Sequence, residues 1–171
     1  MEILRVIGIL LVLCSATGIG YSRTKQYYKS LRQLRDLRRG MELVACQMNY
    51  TLYPMPKLLN IVGNQLSKPI GPYFIRLGKA IDEGFPRHRA HEKALQSTKG
   101  LSIPNDGLMA LIEWSTALGQ FDPDGENRMM KLSIDRVEHA LRTYESEKKA
   151  MVKSYTLLGA CAGIALVILI L

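Results

Sequence analysis

The chain has 171 residues, a formal net charge of +8 and almost half its residues apolar. That length suits one domain. Three cysteines without regular spacing argue against a disulfide framework: Cys14 and Cys161 lie in the apolar ends, Cys46 suits a reducing compartment, and all three read as small hydrophobes.

Residues 3–21 form a first apolar run. Val6 to Tyr21 carries no charge, and Arg5 can send its head group to the interface, so about 20 residues are available to span a bilayer. Glu2 offsets Arg5, and Leu13 stands where a lipoprotein site at Cys14 needs a small residue. An uncleaved anchor is therefore expected rather than a signal peptide. Ala16 and Gly20 stand four apart, a spacing that brings helix backbones together in lipid and admits a homo-oligomer.

The middle, residues 22–153, reads as helical throughout, with no period-two alternation. From Thr24 to Leu52 the positions Leu31, Leu34, Leu37, Met41, Val44, Ala45, Met48 and Leu52 keep three-and-four spacing. Lys25, Lys29, Arg32 and Arg39 fall on another face, with Asp36 among them and Arg35 beside them. Pro54 and Pro56 end this helix, and a short one follows over Met55 to Leu66 with Leu58, Leu59 and Val62 inward. Ser67-Lys68-Pro69 breaks the chain again. The next helix runs to Asp82, with Phe74, Leu77 and Ile81 inward and Gly84 as its stop. Pro86 opens a fourth that Gly100 closes. Pro104 opens a fifth, with Leu108, Leu111, Ile112, Ser115 and Leu118 on one face, ending at Gly119.

Asp122-Pro123 starts the last and longest helix. Met130, Ile134, Val137, Leu141 and Tyr144 form its stripe, and Glu138 with Arg142 and Glu145 with Lys149 are i,i+4 pairs. No break separates it from the second apolar run, residues 154–171, which at about 1.5 Å per residue covers roughly 27 Å. Gly159 and Gly163 there repeat the close-packing spacing. The expected fold is all-α: an antiparallel six-helix bundle flanked by one transmembrane helix at each terminus.

Charge sets the orientation. From Ser22 to Tyr50 there are seven basic residues against two acidic, and Lys148, Lys149 and Lys153 precede the second run. Basic residues held at both inner flanks place the middle domain in the cytoplasm and both termini outside. Lys25, Lys29, Arg32, Arg35, Arg39, Lys148, Lys149 and Lys153 are the candidate contacts to anionic lipids. Nucleic acid is not expected as a partner, because this charge abuts a membrane.

Catalytic signals are weak. His88 and His91 stand three apart without a third ligand and read as a solvated helix start. His139, among charged residues, should face water. Asp122, Asp124 and Glu126 lack the ligand spacing of a calcium loop and suit helix capping. No phosphate loop, nucleophile elbow or paired-cysteine motif is present. No metal, no cofactor and no enzymatic activity are expected, though a membrane enzyme with an unrecognised site is one alternative. Partner-binding candidates are Trp114, Gly119, Gln120, Phe121 and Asp122, which gather two aromatics and polar groups around one turn. A core role for Trp114 is the stronger reading of that residue.

With these elements placed, the chain resembles the stage III sporulation protein AB family of endospore-forming bacteria. The resemblance rests on the two end spans, Leu31-Arg32-Gln33-Leu34-Arg35, Leu66-Ser67-Lys68-Pro69, Leu118-Gly119-Gln120-Phe121-Asp122 and Lys153-Ser154. It covers essentially the whole chain. Glu126 and Asn127 stand where the family usually has glutamines, and His91 near a frequent tryptophan. The resemblance implies a soluble part similar to the helical domains of type II secretion F proteins. It further implies a mother-cell membrane component of the channel joining mother cell and forespore. The implied partners are a secretion-type ATPase, stage III sporulation protein AA, and other sporulation channel membrane proteins. A general type II secretion or pilus-like platform subunit is the other alternative.

Overall fold

The computed structural model describes residues 26–48, 50, 53–119 and 125–147. Both expected spans, with Ala16, Gly20, Gly159 and Gly163, lie outside the described residues, as do Lys25, Lys148, Lys149, Lys153, Gln120, Phe121 and Asp122. Among the described residues no helix is long and apolar enough to cross a membrane. What is described is all-α, in six helices: α1 (26–48), α2 (Met55–Gln65), α3 (Ile70–Asp82), α4 (Arg87–Ser97), α5 (Asn105–Ala117) and α6 (125–147).

Four of these helices begin in the same way. Pro54, Pro69, Pro86 and Pro104 are the N-caps of α2 to α5. Proline needs no partner for the N–H it lacks. Its carbonyl instead accepts the first helical bond, from Leu58, Tyr73, Ala90 and Leu108 in turn. Helix α3 stops at Gly84, whose φ of +82° suits glycine. The Gly84 and Phe85 amides donate to the Ile81 and Ala80 carbonyls, closing a Schellman turn. The fourth helix ends earlier than expected, at Ser97. Gly100 belongs to the following turn, and its carbonyl accepts from Gln33 Nε2 at 3.0 Å.

The core is built around α1, whose Leu31, Leu34, Leu37, Met41 and Val44 are all buried, as the spacing predicts. Ser30 and Gln33 are buried too, so this helix is covered on more than one side. Around it the helices pair in opposite directions. The α5–α6 pair is tied by the Glu113–Arg136 ion pair, and Arg87 of α4 lies over Gly119. Tyr27 of α1 stacks on Tyr144 of α6 at 4.5 Å, and Arg35 meets Glu145 at 2.6 Å. Residues 26 and 147 therefore leave the bundle at the same end.

The inward face of α5 is rotated from the expected one. Gly107, Ala110 and Trp114 join Leu111, Ser115 and Leu118 in the core, while Leu108 and Ile112 are only half-buried. The reason is the close approach of α1, for a Cβ on Gly107 would collide with Leu34.

Helices α2 and α3 meet along glycines. A Cβ on Gly63 would come within 2.7 Å of Ile75 Cγ1, and one on Gly78 within 2.8 Å of the Pro56 carbonyl oxygen. At Gly71 a Cβ would overlap the carbonyl oxygens of Gly63 and Leu66, which are backbone and cannot swing away. Gly71→Ala should therefore cost about 2–3 kcal/mol, whereas Met109→Ala, at an exposed site, should stay within about 0.5 kcal/mol. Chemical unfolding of the full chain in mild detergent checks this, and equal midpoints for the two variants would contradict the packing account.

Candidate docking surfaces

The turn after α5 was expected to carry a docking site. Gly119, its first residue, is exposed and has a φ of +70°. Its amide donates to Glu126 Oε1 at 2.6 Å. Glu126 is thus not simply an acid capping its own helix. It reaches back to close the end of α5, at 9% exposure. Trp114 does not offer its ring to a partner. It is 1% exposed and its indole lies 5.2 Å from the Phe74 ring, so the largest side chain of α5 fills the core beside α3.

Other groups gather at this end of the bundle that the sequence reading missed. Tyr50, Tyr53 and Phe85 are exposed at 85%, 48% and 38%. Lys57 sits over the Tyr53 ring at 4.5 Å and Lys93 over the Phe85 ring at 4.0 Å, contacts that hold exposed rings in place. A signal was present: Tyr53-Pro54 and Phe85-Pro86 each set an aromatic immediately before a helix start.

Lys29, Arg32 and Arg35 are exposed on α1 toward the opposite end, and Arg39 is exposed farther along the same helix. Their electrostatic situations differ. Arg35 is taken by Glu145, the carboxylate that spacing pairs with Lys149. Glu138 takes Arg142 at 2.6 Å, as expected.

One polar cluster lies inside. His91, read from sequence as part of a solvated helix start, is 3% exposed. Its Nδ1 is 2.6 Å from the Tyr73 hydroxyl and 2.7 Å from Ser115 Oγ, both fully buried. The ring is buried because α4 turns it between α3 and α5, where these two hydroxyls satisfy one nitrogen. Its Nε2 is buried without a hydrogen-bond partner among the described residues. A serine beside a histidine suggests a nucleophile, but an oxygen with no exposure meets no substrate. His88 and His139 are exposed. No group of three or more metal-ligating side chains occurs among the described residues.

With this geometry in hand, comparison with known proteins is decisive. The family model for stage III sporulation protein AB matches residues 5–171. The chain belongs to that family. Stage III sporulation protein AB of Bacillus subtilis (strain 168) is 23% identical over 170 residues, covering 98% of this chain and 99% of the relative. A solved structure of stage III sporulation protein AB superposes with a TM-score of 0.65 at 21% identity, over 71% of this chain and 98% of that one. That likeness supports the all-α fold. Membership makes this a sporulation protein, as the resemblance in its motifs implies.

The buried imidazole has a consequence for pH. Burial pushes His91 below its usual value of 6.5, with Glu92 opposing weakly. The protonated ring carries an N–H on both nitrogens, and the one on Nε2 has no acceptor among the described residues. The unfolded ring takes a proton below about pH 6.5 while the folded ring resists, so stability is complete above that pH. As pH falls below it, stability should drop by at most about 1.4 kcal/mol per pH unit. Glu83 and Glu138, held low by hydrogen bonds from Lys93 and Arg142, act only at more acidic pH. His91→Gln should flatten the stability profile between about pH 6.5 and 5. Chemical denaturation at several pH values would show this, and an unchanged slope would contradict it.

Proposed function

We propose that this chain is a non-enzymatic platform protein of the secretion-like channel between mother cell and forespore. In this reading residues 3–21 and 154–171 anchor it in the mother-cell membrane, with the helical domain in the cytoplasm. Its membrane-distal end docks a secretion-type ATPase of the stage III sporulation protein AA kind. The observation that carries this reading is the polarity of the bundle. Residues 26 and 147 leave at one end, beside the exposed cations of α1. The other end presents Tyr53, Phe85 and the turn that begins at Gly119.

Aromatic anchors dominate binding energy at protein interfaces, and turns present them without disturbing a core. Among the described residues the distal end has such groups from two parts of the chain, Tyr50 with Tyr53 and Phe85, so a partner can engage a surface rather than one loop. The serine–histidine pair that could suggest a nucleophile, Ser115 with His91, is buried, and Cys46, read from sequence as a small hydrophobe, is instead exposed as a free thiol. Lipid headgroups remain the natural partner of the opposite end.

Replacing Phe85 and Phe121 with alanine should cut co-purification with the ATPase by about tenfold, equivalent to roughly 1.4 kcal/mol, while the melting temperature holds. Gln120→Ala should weaken it less. Loss of stability together with assembly would make the turn structural, and intact assembly would place the partner elsewhere.

A further inference from the structure

We propose that the bundle stands end-on upon an anionic bilayer, with Lys68 and Lys99 of two interhelix turns joining Lys29 and Arg32 as its phospholipid contacts. This rests on the membrane reading above and deepens it. It adds two lysines outside the α1 stripe and chooses one orientation of the domain.

The fold brings each of two α1 cations to a turn that carries a lysine. Arg32 Nη2 lies 3.5 Å from Ser67 Oγ, beside the α2–α3 turn that carries Lys68. Lys29 Nζ stands 4.0 Å from where a Cβ on Gly100 would sit, beside Lys99. The α4–α5 turn is pinned to the first turns of α1. Gln33 donates to the Gly100 carbonyl at 3.0 Å and accepts from the Ser102 amide at 2.7 Å. Ser30 and Ser102 are hydrogen-bonded at 3.1 Å. Residues far apart in sequence thus share one face of one end.

All four cations are exposed. No direct ion pair neutralises these cations among the described residues, although Asp106 and Glu147 are exposed at the same end. By contrast Arg35 is held by Glu145 and Arg38 by Glu42 at 2.8 Å. Cations without a paired carboxylate repel one another, and an anionic surface relieves that repulsion. Phosphate suits both residue types, as a point charge for lysine and a bidentate partner for arginine.

The position identifies the anion. Residues 26 and 147 leave the bundle at this end, toward the two uncharged runs, so headgroups are the anions nearest to it. Tyr28, 61% exposed on the same turn of α1, suits the headgroup level. A bundle lying on its side would instead set the whole α1 stripe against lipid, including Arg39. Arg39 lies ten residues beyond Lys29 (39 − 29), about 15 Å up the helix axis. End-on placement leaves it in water.

The test uses the full chain with its three cysteines replaced by serine. A fluorophore is placed singly at Lys68→Cys, Lys99→Cys or Arg39→Cys, in nanodiscs of phosphatidylcholine and phosphatidylglycerol with a quencher on the headgroup. The expected result is strong quenching at 68 and 99 and little at 39. Raising salt to about 1 M, where the Debye length is about 3 Å, should remove about half of it. Equal quenching at all three sites overturns the end-on orientation. A protein that stays in the discs with no quenching at 68 or 99 overturns the proposal and leaves the membrane reading standing. A protein that will not enter discs overturns both. As a second measurement on the unaltered chain, amide hydrogen exchange in the turns at 67–68 and 98–100 should slow when phosphatidylglycerol replaces phosphatidylcholine. Exchange indifferent to lipid charge overturns the electrostatic basis.

Discussion

The contact between α1 and α6 is the constraint on which the account turns. Tyr27 stacks on Tyr144 with rings 9° from parallel, and its hydroxyl donates to the Tyr144 carbonyl at 2.8 Å. The Arg35–Glu145 ion pair lies beside it. An exposed ion pair alone contributes little, but here it accompanies ring stacking and a hydrogen bond across 117 positions of sequence. Together they hold the first described turn of the chain beside the last. With both exits at one end, the other end is free to meet a partner.

Everything else is arranged around α1. Its buried stripe supplies one wall of the core, and its polar residues Ser30 and Gln33 grip the α4–α5 turn. The short helices start at prolines and pack through glycines, so little freedom remains in how they are laid down. Such a domain is suited to holding a fixed surface in a fixed orientation. The polar cluster at His91 is accounted for by packing between α3, α4 and α5.

Much of this was legible in the sequence. The four prolines announced four helix starts, and the three-and-four spacing of leucines on α1 named its core face. Legibility failed where small residues or distant partners decide. The inward face of α5 is hidden in the sequence because Gly107 and Ala110 carry little hydrophobic weight, yet both are buried and α1 comes close at Gly107. His91 read as solvated because its partners, Tyr73 and Ser115, lie 18 and 24 positions away. Glu126 looked like a helix cap because its acceptor role at Gly119 depends on a turn between two helices. The meeting of the turns at Ser67 and Gly100 with α1 had no local signal at all.

The central claim is that both ends of the domain enter the membrane from the cytoplasmic side. Reporters fused after Leu171 and inserted near Gly100 measure this directly in sporulating cells. The basic flanks predict an external reporter after Leu171 and a cytoplasmic one near Gly100. A cytoplasmic reporter after Leu171, or an external one near Gly100, would contradict the account.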